Sequence, residues 1–124
     1  TITLRKSYGG SHIVMGCKQL RSDLNFAWPS SEIAVMGASG AVAILCGKEA
    51  KAKKEAGEDV KAFLAEKEDE YTEKFANPYE AASYGYIDDV IEPRNTRFRI
   101  CRGLAQLATK RQQLPAKKHG CMPM

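Results

Sequence analysis

The stretch Tyr8-Gly9-Gly10-Ser11-His12-Ile13-Val14 decides the reading of this 124-residue chain. Upstream of it, from Thr1 to Arg5, Ile2 and Leu4 alternate with polar residues, which is the period-two pattern of a strand. Tyr8-Gly9-Gly10 breaks the extension, and from Ser11 to Leu20 the residues Ile13, Val14, Cys17 and Leu20 return at one-turn spacing, which predicts a helix. Strand, glycine turn and helix then recur. Asp23 to Trp28 is extended until Pro29, Glu32 to Met36 is a short apolar run, and Gly37-Ala38-Ser39-Gly40 turns the chain into an apolar helix through Cys46 or beyond. Two such units within residues 1–47 indicate an α/β protein.

The chemistry sits in the first turn. Two glycines let a ligand come close to the backbone, and they leave N–H groups uncommitted at a helix N-terminus. With the positive end of the helix dipole, those donors suit an oxygen that gathers negative charge. The Gly37–Gly40 turn has the same ingredients in weaker form. Tight packing is the plainer use of either turn, and neither is a P-loop or a full dinucleotide fingerprint. His12 has the chemistry of a general acid or base; a half-buried histidine on a first helical turn is the simpler alternative. No Ser/His/Asp or Cys/His constellation follows from spacing.

Beyond Gly57, Val60, Leu64, Tyr71 and Phe75 fall on one face of a predicted surface helix roughly 30 Å long. Its acids form a solvated face with pairs such as Glu70 and Lys74 rather than a catalytic carboxylate. Asn77-Pro78 starts a short helix through Ser83, Gly85 ends it, and Tyr86–Ile91 is a predicted strand. Asp88 and Asp89 within that strand point to opposite faces, so they do not form a paired site. After Pro93, Asn95 or Thr96 is placed to cap a last helix whose Ile100, Leu104 and Leu107 make a buried stripe. Pro115 stops it, and Ala116–Met124 is a polar tail carrying His119. The expected organisation is therefore residues 1–47 as two strand-turn-helix units, 48–92 as an acidic helix and strand, and 93–124 as a helix and basic tail.

Composition narrows the function classes. The chain is 44% apolar and 27% charged, which excludes collagenous, disordered and cystine-stapled classes. Its formal +4 divides unevenly into +2, −6 and +8 over those three segments. A basic end suits phosphate contacts, yet no aromatic-interleaved or zinc-finger pattern accompanies it, so nucleic acid is not the expected partner. Cys17, Cys46, Cys101 and Cys121 lack ligand spacing, so no metal site is expected and the first three are read as small hydrophobes. No apolar run approaches the ~20 residues of a membrane span, and Thr1–Gly10 lacks the apolar region of a signal peptide. A cytoplasmic location is expected, or the mitochondrial matrix in a eukaryote.

Four blocks in order carry a resemblance: RKSYGGSHIVMG (5–16), DLNFAWPSSEIAVMGASGAVAIL (23–45), EKFANPYEAASYGYIDDVIEP (73–93) and KRQQLPAKKHG (110–120). Together they resemble the C-terminal part of biotin-dependent acyl-CoA carboxyltransferases, the family of the propionyl-CoA carboxylase β subunit and the methylmalonyl-CoA carboxyltransferases and decarboxylases. The resemblance implies an α/β fold of the ClpP/crotonase class built from repeated ββα units, this chain being the later portion of the second of two such domains. The strand pattern starting at residue 1 fits that expectation.

The resemblance further implies carboxyl transfer between carboxybiotin, borne covalently by a partner carrier protein, and a short-chain acyl-CoA. In such enzymes the acyl-CoA is held largely by the first domain of one subunit and the biotin side by the second domain of its neighbour, within a dimer-based hexamer. Implied partners are the biotin carboxyl carrier protein, a biotin carboxylase or membrane decarboxylase subunit, and the N-terminal carboxyltransferase domain. Carried onto this sequence, the Gly10 and Ser11 amides would form an oxyanion hole and Gly9, Gly10 and Ser11 the biotin cradle. Tyr8, His12 and Ile13 would line the substrate pocket. The family commonly has alanine and tyrosine where Ser11 and His12 stand, a change that spares the backbone donor and makes the wall more polar. Ile13 falls at an acyl-pocket position. The alternatives are a crotonase-type hydratase or isomerase, for which Glu32 is the nearest acid although it reads as a cap or surface residue, and a non-catalytic assembly segment.

Overall fold

The structure, a computed structural model, describes residues 1–113. The tail from Ala116, with His119 and Cys121, lies outside the described residues, as does Pro115. The first strand-turn-helix unit contains two short strands rather than one. β1 (Ile2–Thr3) and β2 (Lys6–Tyr8) precede α1 (Gly9–Val14). The second unit repeats the plan with β3 (Phe26–Ala27), β4 (Glu32–Ala34) and α2 (Ala38–Leu45). The first strands of the two units pair in parallel, Ile2 with Phe26 and Thr3 with Ala27, and β5 (Asp89–Val90) extends that sheet on the far side of β3. The second strands form a separate parallel pair, Lys6 with Glu32, Ser7 with Ile33 and Tyr8 with Ala34. Parallel pairing follows from the connections, each of which contains a helix. The result is an α/β arrangement of two repeated ββα units.

Several helices differ from the sequence expectation. The helix expected over Ser11–Leu20 stops after Val14, because Gly16 takes φ +99°, and a 3-10 turn at Lys18–Leu20 replaces its second half. Cys17 is thereby buried in extended backbone, while Val14 and Leu20 stand exposed. After α2 the chain continues as α3 (Gly47–Glu55). Gly57, at φ +78°, ends α3: its N–H donates to the Lys54 carbonyl and that of Glu58 to the Lys53 carbonyl, the paired bonds of a left-handed glycine stop. Cys46 is half-buried at the α2–α3 junction and Cys101 is exposed, so of these three cysteines only Cys17 behaves as a core hydrophobe.

α4 (Val60–Phe75) starts where Asp59 Oδ1 accepts from the Lys61 and Ala62 amides at 3.0 and 3.2 Å. Its 16 residues span about 24 Å, shorter than the expected 30 Å. Glu70 pairs with Lys67 at 2.7 Å rather than with Lys74, whose ammonium lies over the Phe75 ring. α5 (Pro78–Ser83) begins as read, with Asn77 Oδ1 accepting from the Glu80 amide at 2.8 Å and Pro78 at the first position. The strand expected over Tyr86–Ile91 forms only at Asp89–Val90; Asp88, just before it, pairs with Lys18, and Asp89 pairs with Arg99.

α6 (Thr96–Gln106) departs most from expectation, ending at Gln106 and well short of Pro115. Neither Asn95 nor Thr96 caps it through a side chain; the Thr96 hydroxyl instead accepts from Trp28 Nε1 at 2.9 Å, tying the helix to the end of β3. Ile100 is 42% and Leu104 67% exposed, and only Gly103 is buried. The helix approaches through that glycine, where a Cβ would stand 2.8 Å from Leu24 Cδ1. With a glycine at the contact, the expected stripe opens onto a groove of about 190 Å³ beside β1 instead of closing on a core.

The centre of the fold is small: Ala27, Ile33, Ala81 and Ile87 form its continuous buried cluster. Ile13 and Val14 on α1, Ile44 and Leu45 on α2, and Phe98, Ile100 and Leu104 on α6 remain at the surface. No helix among the described residues is long and apolar enough to cross a membrane.

Candidate functional site

β2 ends because the chain must turn sharply beside β4. Gly9 does so at φ +51°, and a Cβ there would stand 2.8 Å from the Val35 carbonyl oxygen, so the position accepts only glycine without strain. α1 begins at this point. Tyr8, the residue before it, offers no side-chain hydrogen bond to the first-turn amides, and the Ser11 hydroxyl donates back to the Tyr8 carbonyl at 2.7 Å. Gly10 is exposed, with nothing within 4 Å of where a Cβ would lie, so the amides of Gly10 and Ser11 are open to a visitor.

The second glycine turn meets the first around one side chain. Gly37 precedes α2 in extended conformation, again without a side-chain cap, and a Cβ on it would touch Tyr8 Cε2 at 3.5 Å. The Tyr8 ring therefore lies against the start of α2. Its hydroxyl donates to Glu32 Oε2, and Lys6 Nζ is 3.7 Å from the other Glu32 oxygen. Burial first, and then the hydrogen bond and negative charge of Glu32, push the Tyr8 phenol up to about 12. Tyr8 thus stays protonated and donating at ordinary pH. Glu32, expected to be a cap or surface residue, is a half-buried acceptor committed to Tyr8 and Lys6. Only the fold shows this pair, since its members are 24 residues apart in the chain.

Beside the first turn lies a cleft of about 630 Å³. Gly9, His12 and Ile13 line it, together with Ile33 to Val35 of β4 and just beyond and the aromatic residues Tyr71, Phe75, Tyr84 and Tyr86. The aromatic pairs pack locally, Tyr71 with Phe75 at 5.5 Å and Tyr84 with Tyr86 at 6.0 Å between ring centres. His12 Nδ1 is 2.9 Å from Ser7 Oγ, which fixes the ring and leaves Nε2 as its uncommitted nitrogen. Of the sequence-selected residues, Gly9, His12 and Ile13 reach the cleft, Gly10 and Ser11 stand exposed at the helix start, and Tyr8 turns to Glu32. The sequence reading missed the cleft's aromatic residues and Glu80, the carboxylate among the lining residues. Tyr84-Gly85-Tyr86 was the signal, two aromatics flanking a glycine at φ +75°.

The family described as "Carboxyl transferase domain" matches residues 1–122. The propionyl-CoA carboxylase beta chain of Saccharopolyspora erythraea is 50% identical over 124 residues, all of this chain and 23% of that protein. The methylmalonyl-CoA carboxyltransferase 12S subunit of Propionibacterium freudenreichii subsp. shermanii is 50% identical over 123 residues, 99% of this chain and 23% of the relative. Among solved structures, the transcarboxylase 12S hexamer with methylmalonyl-coenzyme A bound superposes with a TM-score of 0.83 at 50% identity, covering 100% of this chain and 23% of the other. The beta subunit of P. aeruginosa geranyl-CoA carboxylase gives a TM-score of 0.66 at 26% identity, over 87% of this chain and 20% of that one. The chain thus spans about a quarter of the length of these relatives, and it shares their crotonase-like α/β fold. It belongs to the carboxyl transferase domain family.

Proposed function

We propose that this chain supplies the biotin-side part of a carboxyl-transfer site, in an enzyme moving a carboxyl group between carboxybiotin and a short-chain acyl-CoA such as propionyl-CoA or methylmalonyl-CoA. The match of residues 1–122 to the carboxyl transferase domain carries this reading. Bound biotin supplies a ureido group that accepts and releases the carboxyl group. This chain's own contribution is the glycine turn. Gly9 makes the turn possible, and Gly10 and Ser11 present amides that no side chain caps, with open space above Gly10. Such donors, fixed before the reaction, stabilise an oxygen as charge develops on it, and removing one donor of this kind costs about 100- to 1,000-fold in rate. The open turn therefore fits a ureido carbonyl oxygen.

His12 and Ile13 face the adjoining cleft and act in this reading as pocket wall. The polar His12 and aliphatic Ile13 suit a small acyl group beside a polar ring. The remaining parts of the site come from outside these residues: an N-terminal carboxyltransferase domain for the acyl-CoA, a biotin-bearing carrier, and a neighbouring subunit in a hexamer like that of the transcarboxylase 12S relative. The exposed apolar residues of α1, α2 and α6 support such contacts, because lone soluble domains seldom leave so many large hydrophobics at the surface. In this assembly residues 1–47 form the ββα scaffold of the turn, 48–92 the acidic helices and the β5 strand, and 93–124 a basic contact region. The chain is the C-terminal part of the second domain, working in the cytoplasm or the mitochondrial matrix.

The hydratase alternative is not favoured, since the carboxylate it needs, Glu32, is occupied by Tyr8 and Lys6. Proline is tolerated in the first turn of a helix but has no N–H. Gly10→Pro in the complete carboxyltransferase should therefore abolish transfer from carboxybiotin while acyl-CoA binding persists. An unchanged transfer rate would place the oxyanion hole elsewhere.

A further inference from the structure

Tyr8 and Glu32 occupy a distinctive place in the ββα scaffold. In the parallel β2–β4 register, Lys6 lies opposite Glu32 and Tyr8 opposite Ala34. Residues two apart on a strand share a face, so Lys6 and Tyr8 both present side chains where Glu32 presents its own. The Tyr8 hydroxyl crosses this pairing to Glu32 Oε2, and Lys6 approaches the other oxygen at 3.7 Å. The same Tyr8 is the residue immediately before Gly9, its carbonyl accepts from Ser11 Oγ, and its ring lies against Gly37. One residue thus ties together β4 and the start of α2 through its side chain and the start of α1 through its carbonyl.

We infer that the Tyr8–Glu32 hydrogen bond is a positioning device for carboxyl transfer, holding the Gly10 and Ser11 amides at a fixed place relative to β4 and the Gly37 turn. The inference rests on the carboxyl-transfer reading above. Neither residue touches substrate in this account. Their role is to keep β2 from shifting along β4, a displacement that would carry the whole first turn of α1 with it, because Gly9 follows Tyr8 directly and already sits against the Val35 carbonyl. Displacements of about 1 Å in a catalytic constellation can cost up to about 100-fold in rate. A single lost hydrogen bond in a scaffold whose strand pairing survives should cost less, about tenfold.

The test uses the complete carboxyltransferase with its biotin carrier. Tyr8→Phe keeps the ring against Gly37 and removes only the donor. It should lower kcat about tenfold while changing KM for the acyl-CoA less than about twofold, the split expected when positioning rather than substrate binding is lost. Glu32→Ala should match it, Tyr8→Phe combined with Glu32→Ala should be no worse than either alone, and Glu32→Gln, whose amide oxygen still accepts, should recover most of kcat. Amide hydrogen exchange at Glu32, whose N–H donates to the Arg5 carbonyl across the β2–β4 pair, and at Met15, whose N–H donates to the Ser11 carbonyl, should rise in Tyr8→Phe, a readout that needs no turnover. Wild-type kcat in Tyr8→Phe, additive losses in the double variant, or unchanged exchange at these amides would each overturn the positioning role. Absence of transfer by the unmodified enzyme would instead sink the carboxyl-transfer reading, and the exchange measurement would still decide whether the bond orders the turn.

Discussion

Gly9 turns at φ +51° against the Val35 carbonyl, and a Cβ on it would come within 2.8 Å of that oxygen. The neighbouring Gly10 has an ordinary backbone conformation and open space where a Cβ would be. The two glycines of one turn therefore do different work, the first structural and the second chemical.

That division predicts opposite responses to one methyl group. Gly9→Ala should destabilise the complete polypeptide by about 1–3 kcal/mol, since it combines left-handed strain with a backbone collision. Gly10→Ala should be neutral or gain up to about 1 kcal/mol, as alanine is the better helix residue. Thermal or urea midpoints of the two variants check this; equal losses would show that the turn is not built as described.

The raised phenol of Tyr8 gives a pH dependence with a definite sign. Its folded value, about 12, lies above the ordinary 10, so the folded state holds the proton more tightly than the unfolded chain. The stabilisation is fully present below pH 10 and is lost as pH rises towards 12. In urea titrations across that window, the unmodified protein should lose stability faster than Tyr8→Phe, which has no phenol to ionise. Parallel curves would contradict the burial and Glu32 contact assigned to Tyr8.

The start of α4 depends on Asp59, whose Oδ1 accepts from two amides. Asp59→Ala should cost about 1 kcal/mol and raise hydrogen exchange in the first turn of α4, with Glu58 and the Gly57 stop unaffected. No change in exchange at Lys61 and Ala62 would mean that water caps the helix equally well.

Much of this arrangement was legible in the sequence because local rules wrote it. The turn at Gly9-Gly10, the repeat at Gly37 and the Asn77-Pro78 helix start follow from glycine conformation and capping. The two-sheet layout was hidden, because Thr1–Tyr8 has the pattern of one extended run and nothing local says that β1 and β2 join different sheets. Gly16 was the overlooked signal: at φ +99° it ends α1 where apolar spacing predicted continuation to Leu20. The α6 stripe failed for a different reason. Periodicity marks Ile100, Leu104 and Leu107 as a shared face, but the small Gly103 chose the contact with Leu24. The Tyr8–Glu32 pair is a tertiary contact between residues on separate units, which neither spacing nor composition encodes.

The central claim is that these residues hold one part of a divided carboxyl-transfer site. Carboxyl transfer from a carboxybiotin-bearing carrier to propionyl-CoA, measured with the 124-residue chain alone and with the complete carboxyltransferase, tests it most directly. The account predicts no transfer by the chain alone and transfer by the complete enzyme; turnover by the isolated chain, or none by the complete enzyme, would contradict it.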